Sequence, residues 1–245
     1  MQGFYAVLWR EYLFFHRRFW TITASALVAP LLYLVTFGLG LGRSVNVGNV
    51  AYFDFLTPGI MALSTMSVSF HAIATPLTIA RLYDRTLEEY LISPNSLFSF
   101  QTAKIVAGAL RGLYAAAAIY CISLLAGANV HISFMFIFIL LLNCLVFSSL
   151  GFWMALTISS HSDMAQFGNF IITPMIFICG TFFSLDTLPL LLKQCITLLP
   201  LTPASYGLRA AALGWDVPLW TIGTQFFYLC IFLFMGLRMS KKVEG

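Results

Sequence analysis

The chain has 245 residues, 60% of them hydrophobic and 9% charged. Soluble domains carry about 25% charged residues, so a globule this poor in polar groups could not coat its surface, and most soluble enzymes, nucleic-acid binders and disordered proteins are excluded. The mean hydropathy of +0.90 places it with polytopic membrane proteins, and the net charge of +4 is read by position rather than by sum.

Residues 1–19 come first. Phe4, Tyr5, Leu8, Tyr12 and Phe15 recur at helical spacing among Arg10, Glu11, His16, Arg17 and Arg18, which predicts an amphipathic helix in the cytoplasmic interface. No A-x-A-like cleavage site follows the first apolar stretch, so no cleaved signal peptide is expected. Apolar runs bounded by charge or turn residues predict six spans, at about 20–41, 55–80, 105–126, 133–158, 167–183 and 219–237. At about 20 residues per span little is left for a soluble domain. Residues 1–245 therefore read as one all-α transmembrane domain. Residues 42–54, 127–132 and 159–166 are short connections, and 81–104 is the largest inner loop. Segment 184–218 holds Pro189, Pro200, Pro203 and Pro218, yet it is apolar enough to dip into the bilayer. Irregular backbone at that depth must be shielded, so two short helices, about 189–199 and 204–213, are expected to fold back into the outer leaflet.

An even number of spans puts both termini on one side. Arg10, Arg17, Arg18, Arg81, Arg85, Lys104, Arg238, Lys241 and Lys242 lie on that side, against Arg43, Lys193 and Arg209 opposite, with Arg111 inside the third span. Nine against three makes the termini cytoplasmic. The inner loop also holds Asp84, Glu88 and Glu89. Leu87, Tyr90 and Leu91 share a helical face and Pro94 ends the run. That describes either a short docking helix or a solvated loop with topogenic charge.

Catalytic motifs are absent. The chain has no G-x-x-x-x-G-K-[ST] phosphate loop, no H-E-x-x-H and no G-x-S-x-G. His161-Ser162-Asp163 reads as a polar turn. The five cysteines, Cys121, Cys144, Cys179, Cys195 and Cys230, show no C-x-x-C spacing and read as buried thiols rather than a metal or disulfide framework.

Three segments resemble the membrane permease of type-2 ABC exporters, the family of drug, polysaccharide and nodulation-factor export permeases. Tyr52-Phe53-Asp54-Phe55-Leu56-Thr57-Pro58-Gly59-Ile60-Met61 is similar to the opening of its second span. Arg85-Thr86-Leu87-Glu88-Glu89-Tyr90-Leu91-Ile92-Ser93-Pro94 is similar to its cytoplasmic coupling helix, with Arg85 where many members carry Gly. Thr173-Pro174 through Gly180-Thr181-Phe182-Phe183, Leu188-Pro189 and Leu199-Pro200-Leu201-Thr202-Pro203 to Leu208-Arg209 is the longest match. The resemblance implies a half-transporter in a bacterial or archaeal cytoplasmic membrane. Two permease copies would pair, each bound at its coupling helix to a separate ATPase subunit that holds the ATP and Mg. Arg81, Arg85, Leu87, Glu88 and Glu89 would carry that coupling, and the cargo would be amphipathic or lipid-linked, with no nucleic acid involved.

His71, mid-span, reads as a pathway residue or as a histidine hydrogen-bonded to a neighbouring helix. Asn143 in the fourth span has the same two readings. Arg111 would snorkel to the inner interface or pair with Glu88 or Glu89. Asp54 is expected to cap the second span, and Trp20, Trp215 and Trp220 to sit at interfaces. Phe182, Phe183 and Tyr206 would line an outer gate or substrate path. An ion-driven secondary transporter would need carboxylates central in the spans, and there are none. An integral membrane enzyme would need a nucleophile and base, which only His161 and Asp163 approximate.

Overall fold

The computed structural model describes residues 2–41, 46–47, 50–83, 96–185 and 188–244. Helix α1 (Gln2–Arg17) leads into α2 (Phe19–Tyr33), which continues in wider π turns over Leu34–Leu41. Pro30 sits inside α2 and cannot donate to the carbonyl four residues back, and the helix widens one turn later. A two-residue antiparallel ladder, β1 (Asn46–Val47) with β2 (Val50–Ala51), precedes α3 (Tyr52–Leu82). Then come α4 (Leu97–Leu125) and α5 (Phe134–Thr157). The order closes with α6 (His161–Phe167), π turns over Gly168–Ile172, α7 (Thr173–Ile178), α8 (Leu190–Thr197), α9 (Leu201–Ala212) and α10 (Leu219–Glu244).

Among the described residues, five helices are long and apolar enough to cross a membrane: Phe19–Gly38, Tyr52–Leu82, Leu97–Leu125, Phe134–Thr157 and Leu219–Lys242. They match the first four and the last of the expected spans. The expected span at 167–183 is not among them. Its helical run starts at His161, where the Ser160 hydroxyl caps the Asp163 N–H at 3.0 Å, and stops at Ile178 before Gly180 at φ +70°. Serines also cap α4 (Ser96 to the Ser99 N–H, 3.2 Å) and α5 (Ser133 to the Phe136 N–H, 3.1 Å). The first of these caps starts α4 early, so residues 97–104 of the expected inner loop are helical.

Where lipid and protein are both apolar, hydrophobicity cannot say which helix sits inside; small residues and polar pairs decide. In α3 and α5, 67% of the most apolar window is buried; in α2 it is 17% and in α10 22%. The centre is therefore α3 between α4 and α5. A Cβ on Gly112 of α4 would lie 2.0 Å from Ser69 Oγ and 2.9 Å from Cys144 Sγ, so only glycine permits this approach. Asn143 of α5 is fully buried and donates to Ala62 O at 3.1 Å and Thr65 Oγ1 at 2.8 Å on α3.

The structure adds detail to four sequence expectations and corrects two of them, the Asp54 cap and the burial of all five cysteines. Tyr5 and Tyr12 of α1 face outward, while Val7 and Glu11 turn toward the protein. Asp54 does not cap α3, whose first turn follows Ala51; its carboxylate accepts the Asn129 N–H at 2.7 Å and ties down the α4–α5 connection. Cys121, Cys195 and Cys230 are exposed on the bundle surface, and only Cys144 and Cys179 are buried. Finally, α9 is almost wholly buried against α3, α5 and α10, whereas α8 exposes Leu190, Leu191 and Leu192.

Candidate functional site

A cavity of about 450 Å³ opens between α2 and α3. Ile22, Ala26, Ala29, Pro30 and Tyr33 line the α2 side at helical spacing. Ser64, Ser67, Val68, His71 and Thr75 line the α3 side, Ile176 of α7 adds an apolar patch, and Phe14 and Arg111 stand at one end. The walls are mainly apolar with a short polar track, the usual composition of a ligand pocket. The Ser64 hydroxyl is spent on Ile60 O at 2.6 Å. His71 is exposed to the cavity, its ring edge-on to Phe70 at 5.1 Å.

The end of the cavity nearest α1 is a three-helix joint. Glu11 of α1 accepts from Lys104 Nζ at 2.5 Å through Oε1 and from Arg111 Nη2 at 2.7 Å through Oε2. The three side chains are only 8–12% exposed. Arg111 also stacks over Phe14 at 5.3 Å and reaches Ala72 O of α3 at 3.4 Å. That carbonyl is free because its helical donor would be residue 76, which is Pro76. Arg111 is thus paired with Glu11, a partner not expected for it; Glu88 and Glu89 lie outside the described residues. The signal in the sequence was Glu11 itself, the only acid before Asp54.

At the outer end Tyr33 lines the cavity and packs on Phe182 at 5.4 Å and Phe177 at 6.1 Å. Phe37 lies 4.7 Å from Phe182, and the Tyr52 hydroxyl donates to Phe182 O at 2.9 Å. Buried Arg209 of α9 holds the turn beneath this cluster. Its Nε donates to Phe55 O at 3.1 Å, its Nη2 to Gly180 O at 2.9 Å and Thr181 O at 3.1 Å, and its Cζ lies 3.7 Å over the Phe55 ring. The three carbonyls and the Phe55 face compensate its buried charge. Gly59 gives the room: a Cβ there would stand 2.6 Å from Thr181 O.

Among the residues singled out from sequence, His71 lines the cavity and Phe182 closes its outer end. Phe183 is half-buried beside it. Asn143 is locked between α5 and α3, and Tyr206 packs on Trp220 at 5.7 Å, both away from the cavity. Arg81 donates to Ala155 O at 2.9 Å and Ile158 O at 3.1 Å, tying the root of the inner loop to the end of α5. Arg85, Leu87, Glu88 and Glu89 lie outside the described residues.

Apolar membrane-length helices with a partly polar cavity between two of them are an architecture suited to a membrane permease. The chain belongs to the ABC-2 type transporter family, whose model matches residues 2–213. It is 29% identical over 222 residues to nodulation protein J of Neorhizobium galegae, covering 88% of this chain and 84% of that one. It is 27% identical over 237 residues to the inner membrane transport permease YadH of Escherichia coli K12, covering 93% and 92%. Nodulation protein J of Rhizobium meliloti is 28% identical over 242 residues, covering 97% and 91%. The chain is thus a membrane permease subunit of an ABC exporter. Subunits of this family are not themselves ATPases, and in general they work with an ATP-binding partner.

Proposed function

We propose that the chain crosses the inner membrane six times with both termini cytoplasmic. The sixth crossing is the broken 161–178 helix, α1 lies in the cytoplasmic interface, and α8 and α9 re-enter the outer leaflet. Two copies pair, and each docks a separate ATPase, which supplies ATP and Mg, through residues 81–94, with Arg85, Leu87, Glu88 and Glu89 as the contact surface. Arg81 roots that surface on α5. Closure of the ATPase pair shifts the coupling segment and α1 together. That movement works the cavity between α2 and α3, where an amphipathic or lipid-linked cargo rests against His71, Ser67 and Thr75 beneath the Phe182 cluster. The permease itself catalyses no reaction.

One observation carries this reading. The cavity is tied at its inner end to α1 through Arg111 and Glu11, and is closed at its outer end by Tyr33, Phe177 and Phe182. A cavity of about 450 Å³ suits one drug-sized group, so it takes part of a longer amphiphile. Ala29→Trp and Ser67→Trp should fill it. In the reconstituted complex both should abolish amphiphile stimulation of ATP hydrolysis while ATPase capture stays intact. Unchanged stimulation by both variants would move the cargo path elsewhere. Glu88→Ala with Glu89→Ala should do the reverse, losing ATPase capture while the permease still inserts. Single cysteines placed in 84–95 and in 190–197 should label from opposite sides of the membrane.

A further inference from the structure

At the end of the bundle that carries the C-terminus, α5 and α10 form an open groove of about 640 Å³ lined by Trp153, Thr157, Met235, Arg238, Met239, Lys241 and Lys242. Trp153 and Thr157 are one turn apart on α5. Met235, Arg238, Met239 and Lys242 fall at helical i, i+3, i+4 and i+7 on α10, so the two helices present one face each to the groove. Its apolar wall is braced by Trp153 stacked on Phe232, ring centroids 5.9 Å apart. Its rim is three cations, all exposed, and among the described residues no acidic one lines it. None of the three forms an ion pair among the described residues. Other cations of the same side are already spent: Lys104 and Arg111 on Glu11, and Arg81 on two carbonyls.

We propose that this groove binds an anionic glycerophospholipid, its phosphate held by Arg238, Lys241 and Lys242 and an acyl chain laid along α10. Two observations select a lipid as the occupant. Among the described residues the rim is purely basic, and basic pockets between helices at the inner membrane face are matched to anionic headgroups. From Arg238 and Lys241 an apolar stripe also continues outward along α10, beside the groove. Phe227, Ile231, Phe234, Arg238 and Lys241 are spaced four, three, four and three residues apart, with Phe227 62% and Phe234 65% exposed. Apolar side chains thus give way to cations along one line, at the depth where an acyl chain gives way to its phosphate. An acidic protein surface would match the rim but leave that stripe uncovered. The inference rests on the cytoplasmic placement of the C-terminus, not on the cavity or its cargo.

The experiment uses the full-length permease with its ATPase subunit, in nanodiscs of phosphatidylcholine carrying a titrated fraction of phosphatidylglycerol. Lipid retained by the complex is read by native mass spectrometry. The unmodified complex should retain phosphatidylglycerol in preference to phosphatidylcholine. At about fivefold per cation, Arg238→Gln with Lys241→Gln and Lys242→Gln should weaken that preference on the order of 100-fold. Because those cations also orient the chain, Thr157→Trp is the second variant: it fills the groove without altering charge and should lose the same lipid. No preference in the unmodified complex, or an unchanged preference in Thr157→Trp, overturns the proposal. Loss of the ATPase subunit from the triple variant with lipid retention intact also overturns it, and makes the rim a protein-docking surface. These readouts need no transport, so failure of the cargo assignment leaves them untouched.

Discussion

Glu11 is the single residue on which the inner joint turns, and Glu11→Gln is the sharpest perturbation of it. The substitution keeps volume and removes the charge that Lys104 and Arg111 share at 2.5 and 2.7 Å. At about 90% burial solvent cannot replace it. Breaking a buried pair by removing one partner costs about 3–5 kcal/mol, because the orphaned charge is left dry. Here two cations are orphaned, but Lys104 can swing its ammonium toward solvent, and Arg111 keeps Phe14 and Ala72 O. The expected loss is therefore about 3 kcal/mol rather than twice that. It is local: α1 leaves α4 while the α3–α4–α5 core persists. Limited proteolysis of the solubilised permease should cut within 2–17 at least tenfold faster, with little change in the melting transition of the remainder. Lys104→Met added to Glu11→Gln should recover part of the loss, since one orphaned charge is then gone. If Glu11→Gln leaves proteolysis unchanged, or if the two substitutions add independently, the joint does not hold α1.

Arg209→Lys should cost about 2–4 kcal/mol, because an ammonium cannot reach Phe55 O, Gly180 O and Thr181 O together or stack on Phe55; the check is the melting temperature, with Arg209→Met at least as damaging. Arg81→Gln should cost about 1–2 kcal/mol, since a half-buried guanidinium on Ala155 O and Ile158 O is partly screened; ATPase capture should survive while coupled hydrolysis falls. Gly112→Val should cost about 3 kcal/mol or prevent folding, as its Cβ would stand 2.0 Å from Ser69 Oγ; paired with Ser69→Ala it should be milder, and equal expression of the two would refute the close contact.

The five long helices were legible because lipid demands long apolar runs, and hydropathy reads those directly. Their lateral order was not. A helix with lipid on one side and protein on the other has no amphipathic stripe, so the centrality of α3 rests on Gly112, Ser69 and Asn143 rather than on any periodicity. The start of the 161–178 run could have been read from Ser160-x-x-Asp163, a serine cap with an acid three residues on; the apolar run alone began too late. Aromatic spacing marked α1 as amphipathic but not which of its residues meet the protein. Tyr5 and Tyr12 carry hydroxyls that tolerate an interface, while Glu11 turns inward because Lys104 and Arg111 wait on another helix. No local pattern reports a partner about 100 residues away, which is also why Arg209 was legible as a motif position but not as a clamp.

The two walls of the cavity differ in how firmly they are held, and that difference decides which wall can move. On the α3 side the helix is deeply buried, pinned at one end by Arg209 and behind by Asn143. On the α2 side Pro30 is the only fully buried residue of Phe19–Tyr33, and the helix is widened into π turns beyond it. Few buried contacts mean low local stability, so opening the cavity costs less through α2 than through α3. The ends of α2 are where its remaining ties gather: Thr23 to the Tyr114 hydroxyl at 2.9 Å on the inner side, Tyr33 and Phe37 to Phe182 on the outer. Beside the inner tie, Arg111 touches α1, α3 and the cavity at once. A displacement of α1 therefore reaches the floor of the cavity through one guanidinium, and reaches its movable wall through the short Arg18 junction between α1 and α2.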